Sequence, residues 1–261
     1  MSEAAPAIEP EDDLEADEPD EGRPEPCGEG ADWNTVERAF LTRRSIRKFK
    51  KKQVPAHLVR RILEVGRYAP SQGNCQPYRF AVIREPSLID EMEAHCVEQC
   101  KKLWSLAGYT EHPKGSLRRL VGRTLSTFVA ATQPNSAHPV PMQVLRLIAE
   151  GKFTVFHHAP TLIGILMDRR GIGVPEIDIG IVGTSIVMAA ESQGLGTCWV
   201  GFSKLLNQSP VWRERLGIDG RFELSETICV GFPVGKPWQR VVPRATHEIA
   251  WFEGGEKRIV Y

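Results

Sequence analysis

The chain has 261 residues, 41% of them hydrophobic and 25% charged, which excludes a collagen-like, low-complexity or wholly disordered protein and allows one sizeable core. Its longest apolar runs, Ala159 to Met167 and Ile179 to Ala190, are too short for a bilayer span, so no membrane span is expected. The formal charge of zero conceals two unlike parts: residues 1–32 hold thirteen acidic side chains and one basic one, Arg23, which leaves 20 acidic and 32 basic residues for the rest.

Residues 1–31 also carry five prolines and almost no large apolar side chains, so they cannot offset the entropy of ordering and are expected to form a disordered acidic tail. A solubilising leader and an acidic arm over a basic surface are the two roles open to it. No secretory signal is visible, and the six cysteines form no closely spaced framework, so a reducing cytoplasm is expected. Residues 32–261 read as one domain, without internal repeat or second linker.

In chain order, Asn34 caps a helix to about Leu41 with Val36, Ala39 and Phe40 on one face, and Ser45–Phe49 follows as an extended piece. Pro55 opens a helix striped by Leu58, Val59, Ile62, Leu63 and Val65, which ends before Pro70. The loop Pro70–Pro77 leads into a strand, Tyr78–Ile83, and Ser87 with Asp90 makes a capping-box opening for a helix to about Ala107. Two further helices, 117–131 and 142–150, flank an irregular stretch. Thr161–Met167 reads as a strand, Glu176–Gln193 as a long helix rich in small residues, Thr197–Phe202 as a strand, Ser209–Leu216 as a short helix and Glu226–Gly231 as a strand. The last thirty residues show no compact pattern. The sum is an α+β domain.

Four stretches can carry chemistry. Arg43-Arg44-Ser45-Ile46-Arg47-Lys48-Phe49 groups guanidiniums and a hydroxyl suited to phosphate, or simply forms a solvated basic face. Ala69-Pro70-Ser71-Gln72-Gly73-Asn74-Cys75-Gln76-Pro77 is a polar loop able to hydrogen-bond a heterocycle. Gly194-Leu195-Gly196-Thr197-Cys198-Trp199-Val200-Gly201 runs from a helix stop into a strand with glycines where a flat ligand can approach, and Gly231-Phe232-Pro233 comes late, followed by Arg240 and Arg244. His95, Cys96, Cys100 and His112 match no common zinc spacing, so no metal is expected; His157-His158 reads as a strand-entry pair. No third glycine completes a dinucleotide fingerprint.

These four stretches, in this order, resemble the FMN-dependent nitroreductase family over most of residues 33–261. The resemblance implies a nitroreductase fold: a central mixed sheet flanked by helices, with a C-terminal arm wrapping a partner subunit. It implies a homodimer with two FMN molecules at the subunit interface, each touched by both chains. Arg43 and Ser45 would hold the phosphate, Arg44 would lie along the phosphate and ribityl chain, and Arg47 would face the pyrimidine edge. Pro70, Ser71, Gln72 and Asn74 would come from the partner, Val200 and Gly201 would offer backbone amides toward N5, and Arg244 or Arg240 would complete the phosphate site. The implied activity is NAD(P)H-dependent, ping-pong reduction of a nitroaromatic, quinone or similar small electron-poor acceptor, with residues 108–150 as a variable, lid-like insertion. Specialised flavin chemistry on the same fold (dehalogenation, desaturation or flavin fragmentation) is the alternative. From another class, the basic body with an acidic autoinhibitory tail would bind a polyanion, although basic residues are not interleaved with aromatics and no nucleic acid is expected.

Overall fold

The computed structural model describes residues 33–132, 139–235 and 248–259. The acidic tail, the irregular stretch after Thr132 and both late arginines, Arg240 and Arg244, lie outside the described residues. The chain divides into a body, Asn34–Pro237, and a second unit formed from its two ends.

The body is an α+β domain. Helix α1 (Thr35–Thr42) starts where Asn34 accepts the amides of Val36 and Glu37 while Glu37 accepts the amide of Asn34. Then come α2 (Ala56–Arg67), β1 (Tyr78–Ile83), α3 (Pro86–Ala107), α4 (Leu117–Thr132), α5 (Pro139–Ala149), β2 (Thr161–Asp168), α6 (Pro175–Glu191), β3 (Gly196–Val200), α7 (Pro210–Arg215) and β4 (Phe222–Gly231). The four strands order as β1-β2-β4-β3, all paired antiparallel. The sheet is mixed only at its β3 edge, where Ser45 bridges Thr197 in parallel.

Both sheet faces are covered, which is why β2 is an uninterrupted apolar run. Leu162 and Leu166 pack on one face with α3 and α5, through Met92, Cys96 and Ile148. Ile163, Ile165 and Met167 pack on the other with α2 and α6, through Ile62, Val182 and Ile186. A bulge at Ser225 shifts the β4 register between Glu226↔Ile165 and Leu224↔Leu166. It reverses which residues face which side, so Leu224 and Cys229 share a face although one is even and the other odd.

Three expectations change. The Ser87 capping box does not form: Pro86 supplies the first helical position, and the Ser87 hydroxyl donates to Glu85 instead. Phe202–Gln208 is a 3-10 segment that ends β3 early at Val200. The C-terminus does hold local structure, since β5 (Ala250–Glu253) and β6 (Glu256–Ile259) pair antiparallel around Gly254-Gly255, whose φ angles of 61° and 82° suit a two-residue hairpin turn.

Candidate functional site

The basic segment is seated by the two later glycine motifs. Ile46 packs where a β-carbon on Gly196 would lie 2.7 Å from its Cγ1, and Phe49 packs where one on Gly231 would lie 2.8 Å from its ring. Backbone bonds fix the rest: the Ile46 amide donates to Thr197 O (2.7 Å), Lys50 to Phe232 O (2.8 Å) and Val234 to Lys48 O (3.1 Å). The glycine of Gly-Leu-Gly-Thr therefore accommodates this chain's own Ile46 rather than a ligand.

So seated, the segment displays Arg43, Arg44, Ser45 and Arg47 along the β3 edge, with Ser45 and Arg47 exposed. Arg43 and Arg44 face Glu191 at the C-terminal end of α6, whose carboxyl is held above its ordinary value by burial, against the pull of both guanidiniums. Arg47 lies within hydrogen-bonding reach of the Cys198 thiol, which burial raises and Arg47 lowers. Its other neighbour is His157, whose imidazole is held down to about 4 by burial, then by Arg47 and His158. Neither of these two groups is a carboxylate. Val200 and Gly201 close the same strand, and a β-carbon on Gly201 would meet only Glu226, at 3.5 Å.

The polar loop lies elsewhere. The Gln72 amide donates to Asp178 Oδ1 (3.1 Å) in the first turn of α6, and the Gln72 carboxamide occupies the space over Gly173. Ser71 Oγ accepts the Gln76 amide (3.0 Å), the Gln76 side chain donates to Asn74 (2.9 Å), and Gly73, Asn74 and Gln76 are all left-handed. Pro70 is exposed at the loop's start. Asp178 and Glu191 are thirteen residues apart on one helix, about 20 Å at 1.5 Å per residue. One chain thus strings Ser45, Arg47, Val200 and Gly201 along β3, with Arg43 and Arg44 at the Glu191 end of α6, and sets Pro70, Ser71, Gln72 and Asn74 at the opposite end of that helix.

Two features escaped the sequence reading. Glu93 accepts the amides of Val155 (2.6 Å) and Phe156 (2.8 Å) from 62 residues away, and it supports the turn in which His157 and His158 both take φ near +53°. The other is Gly183 in α6, where a β-carbon would fall on the indole of this chain's own Trp199. Cys96 and Cys100 are core residues, the Cys100 thiol pushed up to about 11 by burial, and no cluster suited to a metal occurs among the described residues. Of the aromatics in and beside the 108–150 block, Trp104 packs against the core with Arg146 over its ring, and Tyr109 lies beneath Gly122.

The Nitroreductase family model matches residues 41–236. A putative NADH dehydrogenase/NAD(P)H nitroreductase of Archaeoglobus fulgidus is 23% identical over 195 residues, 74% of this chain and 83% of that protein. An NADH dehydrogenase of Thermus thermophilus is 51% identical over 49 residues, 19% of this chain and 24% of that protein, so the match spans about a quarter of this relative. Among solved structures, a nitroreductase with bound FMN from Desulfitobacterium hafniense DCB-2 aligns with a TM-score of 0.58 at 21% identity, covering 85% of this chain and all of that one. The two share their fold.

Proposed function

The chain belongs to the Nitroreductase family, and on that premise we propose that it is an FMN-dependent oxidoreductase that uses NAD(P)H to reduce a nitroaromatic, a quinone or a similar electron-poor acceptor, working as a cytoplasmic homodimer. The observation that carries this reading is the partition along α6. A guanidinium-rich phosphate cradle stands at one end and a polar, ring-binding loop about 20 Å away at the other, so two antiparallel copies would complete two sites where neither completes one.

The surfaces such a dimer needs are present. Helix α1 buries none of its residues in this chain and leaves Val36 and Phe40 65% and 53% exposed. On α6, Ile177 is 61% exposed and a β-carbon on Gly180 would meet nothing within 4 Å, so a second helix can approach there.

The donor set fits FMN. Arg43 and Ser45 would bind the phosphate with a fork of N–H groups and a hydroxyl, beside Arg44, whose guanidinium also donates to the Arg43 and Leu41 carbonyls. Arg47 would place a positive charge near the ring edge that becomes electron-rich on reduction. Val200 and Gly201 offer backbone amides at the end of β3, and the facing chain's Ser71, Gln72 and Asn74 close over the ring. Bound FMN supplies the two-electron relay between NAD(P)H and the acceptor, which use one pocket in turn. Acceptor choice falls to the 108–150 block. Within it α5 is built into the core through Leu145 and Ile148, and α4 sits closely on the end of α3 at Gly122 while leaving Leu117 and Leu120 exposed, so those exposed side chains are what the block offers to an acceptor.

Anaerobic addition of NADH or NADPH to the FMN-loaded protein tests the activity. The yellow colour should bleach and return on adding a nitroaromatic or quinone. A flavin that neither nucleotide reduces would contradict the reading.

A further inference from the structure

Asp178 is 3% exposed and makes one described hydrogen bond, from the Gln72 amide to Oδ1; Oδ2 has no partner among the described residues. A buried carboxylate oxygen without a donor costs free energy that an apolar residue would not, and the positive end of α6 only offsets part of that. Packing does not account for a carboxylate at this position. The segment it holds does: Gly73, Asn74 and Gln76 have φ of 57°, 54° and 47°, and non-glycine residues keep that conformation only where their surroundings over-determine it. The second tether is the seating of the Gln72 carboxamide over Gly173, which has no side chain and a φ of 79°. Ser71 and Asn74 then brace the loop internally through Gln76.

We propose that Asp178 is the positioning residue of the flavin loop: by fixing the backbone of Gln72 it presents Ser71, Gln72 and Asn74, already ordered, to the FMN held by the other subunit. The inference rests on the dimeric flavoprotein reading above. An ordered loop removes the conformational cost that a mobile one would subtract from FMN affinity.

The test compares the full-length wild type with Asp178→Ala, Asp178→Asn and Gly173→Ala, following FMN titration of the apoprotein and amide hydrogen exchange at residues 71–76. Asp178→Ala should bind FMN about 10-fold more weakly and exchange faster across the loop. Asp178→Asn, whose amide oxygen still accepts the Gln72 N–H, should recover most of both, as loss of a general structural role would not. Gly173→Ala keeps the carboxylate but displaces Gln72, and should weaken FMN binding in the same direction. Wild-type affinity and loop exchange in Asp178→Ala would overturn the proposal, as would an Asp178→Asn no better than alanine. A wild type that takes up no FMN would defeat the flavoprotein reading instead, while the exchange comparison would still decide whether Asp178 orders the loop.

Discussion

Gly196 and Ile46 are in mutual contact: the absence of a side chain on the first residue of β3 is what lets Ile46, and with it the Arg43–Arg47 segment, lie against the sheet edge. Gly196→Ala should therefore cost about 1–3 kcal/mol of stability through overpacking. It should also weaken FMN binding, since the cradle moves with Ile46. Urea denaturation and FMN titration read the two effects, and a variant that loses neither would show that the segment is held elsewhere.

Arg43→Ala should weaken FMN binding more than Arg47→Ala. Losing a charge-assisted bond to phosphate costs about 1.5–3 kcal/mol, roughly 10-fold to 150-fold in affinity. Arg47→Ala should act chiefly on the rate of flavin reduction. Titration and rapid-mixing measurements on both variants separate the roles, and equal affinities would contradict the assignment.

Stability should fall with pH because of His157. Unfolded, its imidazole takes a proton near 6.5; folded, burial and the Arg47 charge hold it neutral until about 4. Between those values the unfolded chain binds more protons, so this part of the stability is complete above pH 6.5 and is lost as pH drops toward 4. His157→Asn, which tolerates the left-handed backbone, should flatten the difference between urea midpoints at pH 7 and pH 5. An unchanged difference would assign it to other groups.

Much of the element order was legible because apolar periodicity and capping residues are local signals: Asn34, Pro55 and Gly194 mark boundaries the structure keeps. Three-dimensional causes were not legible. The bulge at Ser225 breaks the two-residue alternation, so β4 reads as starting at Glu226 although it starts at Phe222. The Gly254-Gly255 hairpin did carry a local signal, two glycines between short apolar pieces. At the site, only the length of α6 separates Arg43 from Asn74 within one chain, and only packing shows Gly196 serving Ile46 and Asp178 accepting the Gln72 amide.

Removing residues 236–261 should lower dimer affinity and release flavin. The described part of that region exposes Trp251 and Phe252, at 48% and 74%, on a hairpin too small to bury them itself. Sedimentation of the truncated chain with FMN checks this. A dimeric, fully flavinated truncation would leave the arm no role in assembly.

The claim that each flavin site is assembled from two chains is tested most directly by mixing two defective homodimers, one carrying Arg43→Ala and the other Gln72→Ala with Asn74→Ala, and refolding them together. A shared site predicts heterodimers that bind one FMN per dimer at wild-type affinity, because Arg43 of one chain meets the intact loop of the other. Heterodimers with no wild-type site would place both halves of the flavin site within a single chain and contradict the account.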